Sequence, residues 1–248
     1  MRIPFARKAT GTLRTLRALL LFRRMVNAAI PSEPTLAPAL VVAPHADDET
    51  FGCGGIIALK RRHDVPVTIV ILTDGVASHP DSDPAELIRS RQVEALAATA
   101  QLGVPPADVI FLDGPDGGMH CLPPDRREAM IRRLTELMIQ KRPAEVYVPH
   151  RHDHHLDHEV ANDMTRQAIA QSGASATLLE YPIWLLWWAP LNLPARRMEL
   201  ASARRIQLGP ASEQKSAAIS VYRSQLPTMP WKFMTQFTGG FELFFKGN

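Results

Sequence analysis

Two clusters of histidine and aspartate residues are the part of the sequence best suited to chemistry. His45, Asp47 and Asp48 stand within four residues of one another, and five of the nine histidines lie between residues 150 and 158. Zinc in hydrolytic enzymes usually takes three nitrogen or oxygen ligands and leaves one position for water, whose pKa it lowers to about 7. Two histidines and one carboxylate would supply such a set. We therefore predict a metal-dependent hydrolytic site.

The residue types also bear on the identity of the metal and of its ligands. Imidazole ligands favour zinc, or another late first-row divalent metal, over magnesium. Spacing alone leaves every histidine of the second cluster open as a ligand: His150, His152, His154, His155 and His158. The chain has only two cysteines, Cys53 and Cys121, which argues against a disulfide framework and a thiolate zinc site. We expect small buried cysteines and a reducing, cytoplasmic compartment.

The clusters follow apolar runs that are typical of buried strands. These runs occupy residues 39–43, 66–72, 108–112 and 145–148, and segments of helical character lie around 53–62, 84–102 and 124–141. Such alternation predicts an α/β fold with a mostly parallel central sheet and helices on both faces, a Rossmann-like three-layer architecture. Ligands in such folds bind beyond the carboxyl ends of the strands. Both clusters and Asp116 fall at those ends, so we expect them to converge.

The segment 84–102 is predicted to be a helix that Asp83 caps and Gly103 ends. Arg91 and Glu94 lie three residues apart in it and therefore share one face. From the residues alone, this pair is an ordinary ion pair on the helix surface.

The two clusters also carry a family resemblance. The segment 43–49, Ala-Pro-His-Ala-Asp-Asp-Glu, resembles the signature of the LmbE/PIG-L family of zinc-dependent de-N-acetylases, and the segment 153–158, Asp-His-His-Leu-Asp-His, resembles its second motif. The resemblance covers roughly residues 38–225 and implies that His45, Asp48 and His158 bind zinc. Ala46 and Leu156 stand where the family usually or often has proline, and we expect altered loop rigidity there rather than lost chemistry.

The same resemblance implies roles for further residues. Asp47 would be the general base toward the attacking water, and His155 would be the acid or electrostatic partner of the departing amine. The other implied roles are substrate contact for Arg91 and Asp116, and support of the site for Asp157, which would orient a histidine, and for Glu94. On the residues alone, Asp116 is a turn-forming aspartate. The segment 215–225 resembles a late element of the family, which we interpret as structural at least as much as functional.

The chain is predicted to comprise residues 1–37, a basic amphipathic N-terminal extension with a proline-containing linker, and residues 38–248, the LmbE/PIG-L-like deacetylase domain. Residues 1–24 carry seven cations and no acid, and subtracting these seven from the net charge of +3 leaves −4. The basic character therefore does not indicate a nucleic-acid partner. The extension packs on its own domain or on a partner, or it contacts an anionic membrane surface through residues 1–30. Its apolar runs are far shorter than the ~20 residues that span a bilayer.

Three functions are compatible with these patterns. The leading hypothesis is a zinc-dependent hydrolase that removes an acetyl group from an N-acetylated sugar, such as an N-acetylglucosaminide or a related glycoconjugate. The second is an amidase that acts on a larger acyl amide or a thiol conjugate, and the third is a non-catalytic metal- or sugar-binding module. A nicotinamide enzyme is disfavoured. Gly52 and Gly54 match the first two glycines of the dinucleotide fingerprint, but the position of its third glycine is not occupied by glycine. Three tryptophans favour a core cluster over a sugar-stacking surface, namely Trp184, Trp187 and Trp188.

Overall fold

The computed structural model describes residues 5–187 and 202–247, with side chains from residue 15 onward. The helices are α1 (Phe5–Ala28), α2 (Asp48–Arg62), α3 (Pro84–Gln101), α4 (Pro124–Lys141), α5 (Leu156–Ser172) and α6 (Ala211–Ile219). The strands are β1 (Ile30–Ser32), β2 (Ala39–Ala43), β3 (Val67–Thr73), β4 (Val109–Gly114), β5 (Glu145–Pro149), β6 (Thr177–Tyr181), β7 (Arg204–Gln207) and β8 (Phe241–Lys246). Short 3₁₀ turns connect several of these elements.

The strands form one sheet in the order β1-β7-β8-β6-β5-β2-β3-β4. Strands β6, β5, β2, β3 and β4 run parallel to one another, and β1 runs parallel to β7, whereas β8 is antiparallel to both β6 and β7. The predicted apolar runs coincide with β2, β3, β4 and β5, so the mostly parallel sheet is confirmed.

Helices cover both faces of the sheet, as predicted for a three-layer fold. On one face, Leu134 of α4 and Met164 of α5 pack in a core with Val42 of β2. On the other face, Ile56 of α2 and Ala98 of α3 belong to a second core. Because helices shield both sides, every residue of β2, β3 and β5 is buried.

The helix boundaries match the sequence prediction closely for α3 and less closely for α2. The Asp83 carboxylate accepts a hydrogen bond from the Glu86 N–H at 2.8 Å, and Gly103 follows the helix with a φ of 83°. Helix α2 begins at Asp48, five residues before its predicted start, which brings the first motif to the helix terminus. Asp47 precedes the helix without a capping hydrogen bond from its side chain.

Four strands lie outside the four predicted runs, namely β1, β6, β7 and β8. Residues 30–32, part of the predicted linker, form edge strand β1 beside β7, and an edge position tolerates Pro31. Residues 241–246 form β8 inside the sheet. Cys53 is buried as expected, but Cys121 is exposed. The domain boundary at residue 38 stays a prediction.

Helix α1 packs on the domain through the face near its C-terminus. Met25, Val26 and Ala29 are buried in a cluster with Leu186 and Phe245. The opposite face is exposed, with Leu16 48% and Leu20 58% accessible. Within residues 5–187 and 202–247, no helix is both long and apolar enough to cross a membrane.

Candidate metal and active site

Two neighbouring strands bring the motifs of the sequence together. Strands β2 and β5 are paired in parallel, so the turn after β2 and the loop after β5 emerge at the same edge of the sheet. His45 lies in the first of these connections, and His158 lies in the first turn of α5, which follows the second. The 113 residues that separate them in sequence are therefore bridged by strand pairing.

Three side-chain atoms of this edge face one another at nearly equal distances. His45 Nδ1 lies 3.1 Å from Asp48 Oδ2 and 3.3 Å from His158 Nε2, and the last two atoms are 3.3 Å apart. A tetrahedral zinc ion with bonds of ~2.0 to 2.1 Å would space its ligand atoms by about 3.3 to 3.4 Å. The donor set and its spacing thus fit a metal ion, and these are the three residues predicted as ligands.

Carboxylates hold the far nitrogens of both imidazole rings. His45 Nε2 lies 3.1 Å from Asp116 Oδ1 and 3.3 Å from Asp157 Oδ2, while His158 Nδ1 lies 2.8 Å from Asp153 Oδ2. A carboxylate can only accept, so these ring nitrogens donate their protons to it. When both rings are neutral, His45 Nδ1 and His158 Nε2 are therefore the nitrogens whose lone pairs a metal would take up.

Asp153 is a residue that sequence analysis did not single out. It is fully buried, and its carboxylate also accepts hydrogen bonds, each at 2.9 Å, from the N–H groups of Ile183, Trp184 and Leu185. It therefore fixes both the His158 ring and the loop after β6. The sequence feature that could have identified Asp153 is its position at the start of the second motif, five residues before His158.

We expect Asp153→Asn to weaken zinc affinity by about 10 to 100-fold, because a neutral amide cannot replace the carboxylate that accepts the His158 Nδ1 proton. Competition with a chromophoric chelator would measure the change. Asp113→Asn is the matched control, since Asp113 is exposed and bonds to Gln92 instead of the site. Unchanged affinity in the Asp153 variant would contradict this role.

A second donor set at the same edge comprises His45, His155 and Asp157. It is less suited to a metal, because both Asp157 oxygens already accept backbone N–H groups, from Gly117 at 2.7 Å and Met119 at 3.2 Å. His155 has a different character from the other two histidines. Its Nδ1 is buried and has no hydrogen-bond partner among residues 5–187 and 202–247.

The remaining histidines of the second cluster belong to neither donor set. His150 is buried with its Nε2 3.5 Å from Glu180, and its Nδ1 accepts the His152 N–H. His154 is exposed and adopts a φ of 61°. The structure thus brings together only part of the cluster at the site.

Asp47 has an unusual backbone conformation beside the donor set, with a φ of 146°. Its N–H donates to Glu49 Oε2 at 3.0 Å, and the other Glu49 oxygen accepts hydrogen bonds from Thr50 and from the Tyr222 hydroxyl. A strained conformation persists only when its surroundings enforce it. Tyr222, which belongs to the late family element, thereby supports Asp47 through Glu49.

Arg91 lies with its guanidinium among the backbone and carboxylates of the site. It is buried and donates to Gly75 O at 2.9 Å and to Ala46 O at 3.0 Å, while Asp47 Oδ2 lies 3.7 Å away. Glu94 instead accepts hydrogen bonds from the N–H and hydroxyl of Ser224. The Arg91–Glu94 surface pair is therefore not formed. Glu94 joins α3 to the segment that carries Tyr222.

Burial and neighbouring charges raise the pKa of one side chain in the site and lower the pKa of two others. Burial and the negative charge of Asp48 raise the pKa of Asp47 to about 8. Burial opposes ionisation of Asp48 too, but the His158 and His45 rings outweigh it and hold its pKa below the usual range. Burial and the charges on His158 and His45 lower the pKa of His155 to about 4. The imidazole of His155 is accordingly neutral at pH 7.

A cavity of about 240 Å³ opens over these residues. Its polar lining includes His45, Asp47, Asp48, Arg91, Asp116 and His155, and its apolar lining includes Phe51, Ile183, Trp184, Met229 and Phe233. Trp187 packs in the core as expected, whereas Trp184 lines this cavity. Trp188 lies outside the described residues.

Comparison with known proteins identifies relatives of the chain. The PIG-L family, described as GlcNAc-PI de-N-acetylase, matches residues 40–169. The chain is 47% identical over 45 residues to a probable N-acetyl-alpha-D-glucosaminyl L-malate deacetylase 2 of Bacillus subtilis strain 168. This match covers 18% of the chain and only 20% of that relative, so it says little about the relative's whole activity.

Solved structures show the same fold with different reactions. The N,N′-diacetylchitobiose deacetylase of Pyrococcus horikoshii aligns with a TM-score of 0.63 at 21% identity, over 84% of this chain and 83% of that one. The 4-carboxy-2-hydroxymuconate hydratase GalB of Pseudomonas putida KT2440 aligns with a TM-score of 0.61 at 21% identity, over 81% and 83%. At this identity the likeness concerns the fold alone.

The family match extends over just over half of the chain and contains both motifs, with His45, Asp48 and His158 inside it. The fold and the resemblance of the two motifs agree with it. This chain belongs to the PIG-L family of de-N-acetylases.

Proposed function

We propose that the protein is a zinc-dependent hydrolase that removes the acetyl group from an N-acetylated sugar, an N-acetylglucosaminide or a related glycoconjugate. The observation that carries this proposal is the set of three donor atoms 3.1 to 3.3 Å apart, with the Asp47 carboxyl beside it. Two ligating histidines and one carboxylate leave a coordination position for water, as catalytic zinc sites do.

The metal would be held by His45, Asp48 and His158 and, when bound, would polarise the amide carbonyl and acidify water. Asp47 then takes a proton from the attacking water. A cation bound at the adjacent donor atoms would favour the ionised Asp47 that accepts this proton. The burial that raises the pKa of Asp47 to about 8 lets the carboxyl hold the proton and return it to the leaving amine. Arg91 stands next to this carboxyl and keeps its charged form accessible, since its guanidinium opposes the effect of burial.

His155 supports the reaction from the other side of the cavity. Its low pKa favours the electrostatic role over proton donation by a preformed imidazolium, because the ring is neutral at pH 7. No residue in the described ranges bonds the buried Nδ1 of this ring, so the nitrogen is not committed to a structural hydrogen bond there. Asp116 lines the cavity and lies within hydrogen-bond distance of His45, so a contact with a sugar hydroxyl would be made by an oxygen already held in place.

Acetate release from a panel of N-acetylated sugars tests the proposal. We expect acetate and free amine in equal amounts from at least one N-acetylglucosaminide. Hydrolysis restricted to long acyl amides or to thiol conjugates would instead support the amidase. Binding of metal and sugar with no amine released would support a non-catalytic module, which the presence of Asp47 and His155 disfavours.

We further infer that the outer face of α1 contacts an anionic membrane surface. Leu16, Arg17 and Leu20 are exposed on this face together with Arg23 and Arg24. Leucine and arginine side chains on one surface suit the boundary of acidic lipids. A cytoplasmic location likewise stays a prediction.

We expect joint replacement of Leu16 and Leu20 by serine to reduce cosedimentation with phosphatidylserine vesicles several-fold, since two exposed apolar side chains no longer enter the lipid boundary. Hydrolysis of a soluble substrate should be unchanged. This variant is preferable to deletion of residues 1–30, because Met25, Val26 and Ala29 are buried in the domain. Val93→Ser, at an exposed position on α3, is the matched control. Equal vesicle binding by all proteins would exclude the membrane contact.

A further inference from the structure

The cavity over the donor set is lined by two chemically different groups of side chains, which we call the polar wall and the apolar wall. One wall carries the histidines, the carboxylates and Arg91. The other presents Ile183, Trp184, Met229 and Phe233, which come from the loop after β6 and from the segment near the C-terminus. The hydroxyls and the amide of an amino sugar match the first wall only. The apolar wall suits an apolar part of the ligand.

The apolar wall is fixed by its own packing. The rings of Trp184 and Phe233 are stacked with their centroids 4.3 Å apart, and Phe233 also makes an edge contact with Trp187 at 5.2 Å. Asp153 anchors the wall to the metal site, because its carboxylate accepts both the Trp184 N–H and the His158 Nδ1 proton. The aromatic surface is therefore held in a defined position relative to the donor atoms.

The apolar character continues from the cavity to the surface. Met229 and Phe233 line the cavity, and Trp231 between them in sequence is 61% exposed. The Lys232 ammonium lies 4.5 Å from the centroid of the Trp231 ring. Methionine adapts to ligands of differing shape. An extended apolar group leaving the site would thus find contacts along residues 229–233.

We propose that the apolar wall is an aglycone subsite, and that the substrate is an N-acetylated amino sugar carrying an alkyl or aryl aglycone. This inference rests on the proposed function and narrows its substrate class. The polar wall takes the sugar, with its acetamide at the donor set, while Trp184, Met229 and Phe233 take the apolar substituent. Burial of two methylene groups corresponds to a gain in binding of roughly tenfold.

The test compares methyl, butyl and hexyl N-acetylglucosaminides, each below its critical micelle concentration. We expect kcat/KM to rise about tenfold or more from methyl to hexyl, with the change mainly in KM. Trp184→Ala should flatten this rise while the methyl glycoside remains a substrate. Trp184→Phe should restore most of it. Ile139→Ala, at an exposed position on α4, is the control that should retain the full rise.

The outcomes separate this inference from the proposed function. Equal kcat/KM for the three glycosides, or a rise that Trp184→Ala leaves intact, would overturn the aglycone subsite while the deacetylase remains. If none of the three glycosides releases acetate although the protein holds zinc, the proposed function itself fails.

Discussion

Asp47→Asn should lower kcat by about 10² to 10⁴-fold and leave the zinc content close to that of the unaltered protein. General base catalysis contributes a factor of this size, and an amide cannot take the proton from water. Asparagine has the same shape as aspartate and tolerates positive φ better than most residues, so the backbone at a φ of 146° should be preserved. Steady-state amine release and metal analysis of the same sample would measure both quantities.

Asp64→Asn is the matched control for this variant. Asp64 also adopts a positive φ, 56°, but it is exposed at the end of α2, away from the cavity. We expect wild-type turnover from it. Undiminished turnover in Asp47→Asn would mean that another group accepts the proton, whereas loss of zinc would mean that Asp47 belongs to the ligand set.

His158→Ala should remove most of the bound metal at stoichiometric zinc and abolish hydrolysis with it. The side chain supplies one of three donor atoms, and its loss should cost more than the ~10 to 100-fold that supporting residues contribute. The Asp153 carboxylate would in addition lose its imidazole partner in a fully buried position. Metal content after gel filtration and the zinc affinity from chelator competition would report the effect.

The control comes from the same histidine cluster. His154 is exposed, stands outside both donor sets and has a positive φ that asparagine accepts. His154→Asn should therefore retain zinc and activity. Full metal occupancy in His158→Ala would transfer the ligand role to His155 and favour the second donor set.

The sequence was sufficient to predict the central sheet and the edge at which the site lies. Continuous apolar runs such as 39–43 and 145–148 indicate strands that are buried on both faces of the sheet. The polar residues that follow these runs indicate the carboxyl ends of parallel strands, where ligands bind. Strands β1, β6, β7 and β8 were not predicted, and for β1 and β8 the pattern of residues gives a physical reason. Pro31 is unfavourable in most strands, and β8 lies among glycines and aromatics whose pattern does not alternate.

Within the site, the sequence indicated residue types but not partners. Spacing placed Arg91 and Glu94 on one helix face, yet burial directs the guanidinium to Ala46 and Gly75 and leaves Glu94 to Ser224. The role of Asp153 depends on backbone N–H groups about 30 residues away, which no local pattern reveals. Likewise, the hydrogen bond from Tyr222 to Glu49 spans 173 residues.

Free amine production by metal-loaded and metal-free protein is the most direct test of the central claim. The protein stripped with a chelator and then given one equivalent of zinc should release amine and acetate from an N-acetylglucosaminide, and the stripped protein should release neither. His158→Ala treated in the same way should stay inactive. Equal hydrolysis by the stripped and the zinc-loaded protein would contradict a metal-dependent site at His45, Asp48 and His158.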